Sequence, residues 1–276
     1  IALLKQAPYS DSASIATDDA SAIIQYGLDN EFLERIEHKL GDVVTTDEKT
    51  ALQMAYVRNN SLHLFILPGL ICSLVMNARS ISMGTLQSMV HLLYPFLRNE
   101  YYLHWQDGDE LSQAVRKTVD VLEKEQLVSR EDDCLHGAPI HTHESDMLDH
   151  LGQTVMPSLE RYYLTIRLLV QYGSGMLTAD QLGELAHQTA QRLSLLYEFN
   201  SPEFFDKVVL KNFISQLYGT GLVTTDGAGA LIFDEKLESL DDEARRILSP
   251  DISDAIQRVT RVTDIEHLSE PAHSAS

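Results

Sequence analysis

Eight side chains able to bind a metal or move a proton crowd into 17 residues of this 276-residue chain: Cys134, His136, His141, His143, Glu144, Asp146, Asp149 and His150. Thiolate, imidazole and carboxylate are the ligands zinc takes, and His141 and His143 stand close enough in sequence to chelate together. The spacing matches no familiar zinc motif, however, and Gly137 and Pro139 put the cluster in a polar turn where such side chains are ordinarily solvated. No metal and no other cofactor is therefore expected, with His141 and His143 the candidates should a metal bind. Nucleophilic chemistry has less support. There is no Gly-x-Ser-x-Gly elbow, and Gly173-Ser174-Gly175 lacks the lysine and the preceding strand of a phosphate loop, so it reads as a turn between helices.

A second polar constellation lies in YVRNNSLHLFILP, residues 56–68. On a helix Asn59 and His63 share a face at i and i+4, with Arg58 beside Leu62. Two readings stand. Buried polar groups at the mouth of an apolar helix need partners, which helix–helix hydrogen bonds would supply; alternatively the group contacts a substrate or a lipid headgroup. Arg58, Asn59, Asn60 and His63 are the candidate site residues.

The elements that must position these groups are mostly helices. Helix is expected from about Asp29 through EFLERIEHKL to Gly41, and again after Thr45, which has capping-box spacing to Glu48. No formal charge falls in the 20 residues between Arg58 and Arg79 or in the 18 between Arg79 and Arg98. Polar residues and Pro68 leave only Leu62 to Met76 mainly apolar, short of the ~20 residues of a spanning helix. Buried core helices kinked near Pro68 and Pro95 are expected, with membrane-surface or re-entrant helices as the alternative. From Asp109, Leu111, Val115, Val119 and Leu122 line one helical face, and QLVSREDDCLH comes next; FISQLYGTGLVTTDGAGALIF later repeats the form of helix, short strand, turn and return. Thr178 with Gln181, Ser201-Pro202 and Ser249-Pro250 mark further helix starts, the last of them short.

The fold class expected is mainly α, a multi-helix region with two short helix-plus-β-hairpin, winged-helix-like units. Its organisation reads as a linker over 1–28, an apolar helical region over 29–105, a helix-plus-hairpin unit over 106–143 and a helical region over 144–199. A second helix-plus-hairpin unit and short helix occupy 200–263, then a disordered tail 264–276. Forty-one Asp and Glu against 21 Lys and Arg give a net charge of −20, which repels a phosphate backbone. Nucleic acid is not an expected partner. Two cysteines are too few for a disulfide framework and fit a reducing cytosol. The opening at Ile1 without methionine suggests a fragment of something longer.

Residues 56–68 carry a resemblance: they are similar to the Tyr-x-Arg-Asn-Asn-x-x-His-x-Phe-x-x-Pro segment downstream of the acyltransferase domain in bacterial PlsB-type glycerol-3-phosphate acyltransferases. HLLYPFLRNEYYLHW, HESDMLDHLGQTVMPSLERYYLTIRLL and FISQLYGTGLV extend the similarity over most of the chain, and LLKQAPYSDSASIAT resembles the connector after the catalytic domain. The resemblance implies the C-terminal part of an enzyme that moves a fatty acyl group from acyl-ACP (acyl-carrier protein) or acyl-CoA to glycerol 3-phosphate. It places that enzyme at the cytoplasmic face of the inner membrane, in the first step of phospholipid synthesis. The implied partners are its own upstream catalytic domain, those substrates and membrane phospholipid, which residues 59–97 would contact. In that family the histidine base, its aspartate and the phosphate-binding arginines lie upstream of the matching region, so no catalytic residue is assigned and this segment alone is expected to be inactive. His141 and Asp146 satisfy a bare His-x4-Asp pattern without the segments that come after it in those enzymes, and His141 is not read as a base. The competing reading is a soluble acidic helical scaffold with winged-helix-like protein-binding units.

Overall fold

The computed structural model describes residues 1–10, 13–17, 19–106, 108–197 and 202–269, and the architecture is mainly helical. At the N-terminus come helices α1 (Ala2–Gln6) and α2 (Ala20–Asp29), strands β1 (Glu34–Ile36) and β2 (Val43–Thr45), and helix α3 (Glu48–Ser61). Two expectations fail here. The stretch read as a linker contains two helices, α2 beginning where Asp19 accepts the Ser21 amide at 2.9 Å. EFLERIEHKL is no helix, because the Gly27 carbonyl takes the Phe32 and Leu33 amides at 2.9 and 3.1 Å and Glu31 turns to φ 58°, which ends α2 and turns the chain back. A Cβ on Gly27 would press on the Leu33 side chain. Strands β1 and β2 instead form an antiparallel hairpin, with Glu34 opposite Thr45 and Ile36 opposite Val43. Thr45 therefore lies in a strand, and α3 is capped by Asp47, which accepts from the Lys49 and Thr50 amides at 3.0 and 3.1 Å.

Pro68, in the first turn of the next helix, has no amide to offer the Leu64 carbonyl, so the break just before it loses no hydrogen bond there. The chain passes through a 3-10 turn, Leu62–Leu64, and restarts as α4 (Ile66–Ala78) after a bend of 81°. Next come β3 (Ser80–Ser82), α5 (Met83–Tyr101), which continues through Pro95, α6 (Asp109–Lys124), β4 (Val128–Glu131) and β5 (Cys134–Gly137). The sheet order is β3-β5-β4, all antiparallel. Helix α7 (His143–Gly152) then packs along α4, where Gly69 allows the approach: a Cβ there would fall 2.7 Å from the Leu151 carbonyl.

The same order recurs. Helix α8 (Met156–Tyr172) leads to Thr178, which bridges to Ala230, and then to α9 (Ala179–Tyr197), α10 (Lys207–Gly219), β6 (Val223–Thr225) and β7 (Leu231–Phe233). Both units thus run helix, strand or bridge, two helices and a hairpin whose second strand lies in the middle, the winged-helix order. Even the entries into the second helix correspond: Ser82 accepts the Thr85 amide at 3.1 Å, and Thr178 and Gln181 cap each other at 3.3 and 2.9 Å. Helices α11 (Glu235–Ile247) and α12 (Pro250–Ser269) finish the chain. Helix α12 is long, not short, and covers residues 264–269 of the expected disordered tail; 270–276, like Ser201, lie outside the described residues. A helix overcomes its ordering entropy when it has a face to bury, and Ala255, Ile256 and Val259 bury one.

The apolar block is core. Ile66, Leu67, Leu70, Ile71, Cys72, Leu74 and Val75 are at most 2% exposed, and Leu86, Val90 and Leu97 of α5 are fully buried. No single helix among the described residues is long and apolar enough to cross a membrane. The two units meet where α5 lies against α8 and α10: Tyr162 stacks on Phe213 at 4.3 Å and Phe96 tilts against both. Beside these rings Arg161, 1% exposed, pairs with Glu100 at 2.5 Å. Ser158 and Tyr162 donate to the two Glu100 oxygens, each at 2.7 Å, and Tyr101 joins Ser158 at 2.8 Å. Glu160 is also buried, and burial pushes its carboxyl up to about 8 against the opposing charge of Arg161.

Two outcomes are expected. Replacing Arg161 by Ala takes the cation from the partly buried Glu100 and empties a buried site, which costs about 2–4 kcal/mol and is read as a lower urea midpoint at unchanged m-value. Glu160 ties stability to pH: an unfolded glutamate loses its proton near 4.3, the native one near 8, so the folded chain holds the extra proton between. The contribution is intact below the unfolded value and lost as pH rises to 8. Glu160→Gln should therefore flatten the fall in melting temperature between about pH 5 and 8, and an unchanged slope refutes the assignment.

Candidate functional site

The polar motif sits where α3 ends and the chain turns into the core. Arg58 donates to the Asn59 side-chain oxygen from Nη2 at 3.1 Å, and Ser61 donates to the Arg58 carbonyl at 2.9 Å. Arg58, Asn59 and Asn60 are exposed. The expected burial thus fails for these three: the buried apolar run starts at Ile66, beyond the bend.

His63, on the 3-10 turn, is half-buried and meets an aromatic hub that sequence reasoning missed. Tyr9 stands edge-on to His63, His104 and Trp105, with ring centroids 4.9, 4.4 and 5.0 Å away. Its hydroxyl donates to the Tyr102 carbonyl at 3.4 Å, and burial raises its pKa. The loop that brings His104 and Trp105 there is held by Tyr94, which donates to the Trp105 carbonyl at 3.0 Å, and by Arg98, which donates to the Leu103 carbonyl at 3.3 Å. Nearby, Gln6 of α1 accepts from Lys124 at 2.6 Å and donates to Glu125 at 3.0 Å. The N-terminal segment is thereby pinned to α6 and to the end of the motif. Only the single Trp105 could have signalled the hub, since its members lie 41 or more residues apart except for the adjacent pair His104 and Trp105.

The His-rich cluster does not converge. Cys134 and His136 are strand residues opposite Ser82 and Ser80, His141 is an exposed turn residue at φ 69°, and His143 opens α7 behind a Thr142–Ser145 capping box. His150 Nδ1 lies 2.6 Å from the Asp146 carbonyl. Among the described residues no three His, Cys, Asp or Glu side chains are grouped to hold a metal ion. In the first hairpin Arg130 lies 3.4 Å from both Asp120 and Glu123 of α6, so its charge is already met within the unit.

Residues 1–226 match the family described as glycerol-3-phosphate acyltransferase C-terminal region. The chain is similar to a protein named glycerol-3-phosphate acyltransferase from Pseudomonas entomophila, 34% identical over 94% of this chain and 31% of that protein. One of the same name from Xanthomonas campestris pv. campestris is 35% identical over 94% of this chain and 30% of that protein. Another from Pseudomonas aeruginosa is 33% identical over the whole of this chain and 33% of that protein. The chain thus spans about a third of the length of the curated relatives it matches.

The hub generates a prediction. Tyr9→Ala removes the ring that His63, His104 and Trp105 share, so the Trp105 fluorescence maximum should shift to the red and the N-terminal segment should become sensitive to protease, while the buried core keeps its melting temperature within a few degrees. Unaltered fluorescence and cleavage would show that the hub holds nothing.

Proposed function

The chain belongs to the glycerol-3-phosphate acyltransferase C-terminal region family, and from that premise we propose that it is the C-terminal third of an enzyme that transfers a fatty acyl group from acyl-ACP or acyl-CoA to the first hydroxyl of glycerol 3-phosphate. The reaction is the first step of phospholipid synthesis, and the enzyme works at the cytoplasmic face of the inner membrane. Its C-terminal third braces the catalytic domain and is inactive alone, because acyl transfer from a thioester needs a base and oxyanion or phosphate stabilisers arranged together. His141, the nearest candidate base by pattern, stands in an exposed turn.

The observation that carries this reading is the match in sequence along 94% or more of the chain to proteins of that name. Arg58, Asn59, Asn60 and His63 are placed by this reading against the substrate or the catalytic domain, since the first three are exposed and a cation flanked by amides suits a phosphate or a carboxylate. The apolar block is taken up by packing, so membrane contact is assigned to other parts of the enzyme. A helical scaffold would bury the same block, but it leaves the polar motif unaccounted for.

One experiment addresses both claims. The 276-residue chain should transfer no labelled glycerol 3-phosphate into lysophosphatidate, whereas the full-length enzyme should. Arg58→Ala with Asn59→Ala should leave the melting of the 276-residue chain nearly unchanged, the usual result for exposed positions. In the full-length enzyme the pair should raise the KM for glycerol 3-phosphate about tenfold or lower kcat at normal abundance, a loss of ~1.4 kcal/mol. Transfer by the 276-residue chain refutes the inactivity, and wild-type kinetics in the double variant remove these residues from the site.

A further inference from the structure

Residues 20–61 make regular structure without a core to hold it. In α2 the buried residue is Gly27, no residue of β1 or β2 is buried, and none of the described side chains of α3 is buried. A lone two-stranded hairpin is marginal in water, and a 14-residue helix with no packed face is little better. Large apolar groups nevertheless line these elements on their open sides: Tyr26 is 64% exposed, Ile36 53%, Leu40 92% and Val57 69%, with Val43 and Leu52 also exposed. Exposed apolar side chains in such number are unusual for a surface that faces only water.

We propose that α2, the β1–β2 hairpin and α3 form the docking surface for the rest of the acyltransferase polypeptide, an apolar partner face that meets the hairpin and α3 and places Arg58 to Asn60 at its border. The inference rests on the functional reading above, and it names the surface through which that reading works. The relatives are about three times the length of this chain, so a partner of sufficient size exists in the same polypeptide. Charge decides against an anionic bilayer as the occupant: the segment carries seven acidic side chains, among them Glu34, Glu37, Asp42 and Glu48, against the four cations Arg35, Lys39, Lys49 and Arg58. The surface is also continuous with the exposed polar motif, since the last turn of α3 carries Arg58, Asn59 and Asn60.

Amide hydrogen exchange tests this directly. Residues 20–61 should exchange at least about tenfold more slowly in the full-length enzyme than in the 276-residue chain, while α4, α5 and α8 exchange alike in both. Ile36→Asp with Val57→Asp, both at exposed positions, should leave the melting of the 276-residue chain unchanged and abolish that extra protection in the full-length enzyme. Equal exchange in the two proteins overturns the proposal. So does protection of the 276-residue chain that grows with its own concentration, which would make the occupant a second copy, or protection brought on by phosphatidylethanolamine–phosphatidylglycerol vesicles, which would make it a membrane. Acyl transfer measured on the same full-length preparation separates the two claims: protection without transfer keeps the docking surface and refutes the acyltransferase reading, and transfer without protection does the reverse.

Discussion

The fold turns on a charge that cannot be left alone. Arg161 is buried at the seam between the two winged-helix-like units, and its charge is tolerable because Glu100 reaches it from the opposite unit at 2.5 Å. Ser158 and Tyr162 donate to the two oxygens of that carboxylate, and Tyr101 joins the Ser158 hydroxyl. An ion pair of this kind adds little net stability compared with apolar packing, but it penalises every arrangement that separates its partners. The stacked Tyr162 and Phe213 and the adjoining Phe96 supply the apolar part of the seam. Helices α5 and α8 are thereby held in one register, and each carries its own unit with it.

The two units share an order of elements down to the cap that starts their second helix, Ser82 in one and Thr178 in the other. Each needs a closing helix to cover the first: α7 lies on α4, and α11 lies on α8, where Asp241 meets Arg167 at 2.9 Å. The units are winged in order without the charge of a DNA reader. Arg130, the cation of the first hairpin, is held by carboxylates of α6. In this chain the two units and their closing helices pack into one helical frame.

That frame explains the division between residues 20–61 and the rest. Beyond Pro68 the chain is committed to burial, and before it the apolar side chains of α2, the hairpin and α3 point outward. The Tyr9 hub and the contacts of Gln6 fasten the first ten residues to α6 and His63, so the exposed segment is a loop of structure anchored at both ends. Arg58, Asn59 and Asn60 lie exposed on the surface that this anchoring presents.

The helices that bury one continuous face were legible from residue spacing. Leu111, Val115, Val119 and Leu122 marked α6, Thr178 and Gln181 marked the start of α9, and Asp226 to Gly229 marked the second hairpin, because periodicity and caps act within a few residues. The sequence also carried the family, through the run from Tyr56 to Pro68 and the match over residues 1–226. It misled over the stretch after Asp29, where helix-like spacing in EFLERIEHKL lost to the capture of the Phe32 and Leu33 amides by Gly27 and to pairing with Val43–Thr45. It likewise misled over α12, whose length depends on the α8 and α9 surfaces it covers. Which polar groups are buried was decided by tertiary structure alone. Arg58 and Arg161 look alike as letters beside apolar runs, yet one is exposed and the other is sealed against Glu100, because burial depends on what a distant helix brings to the same place.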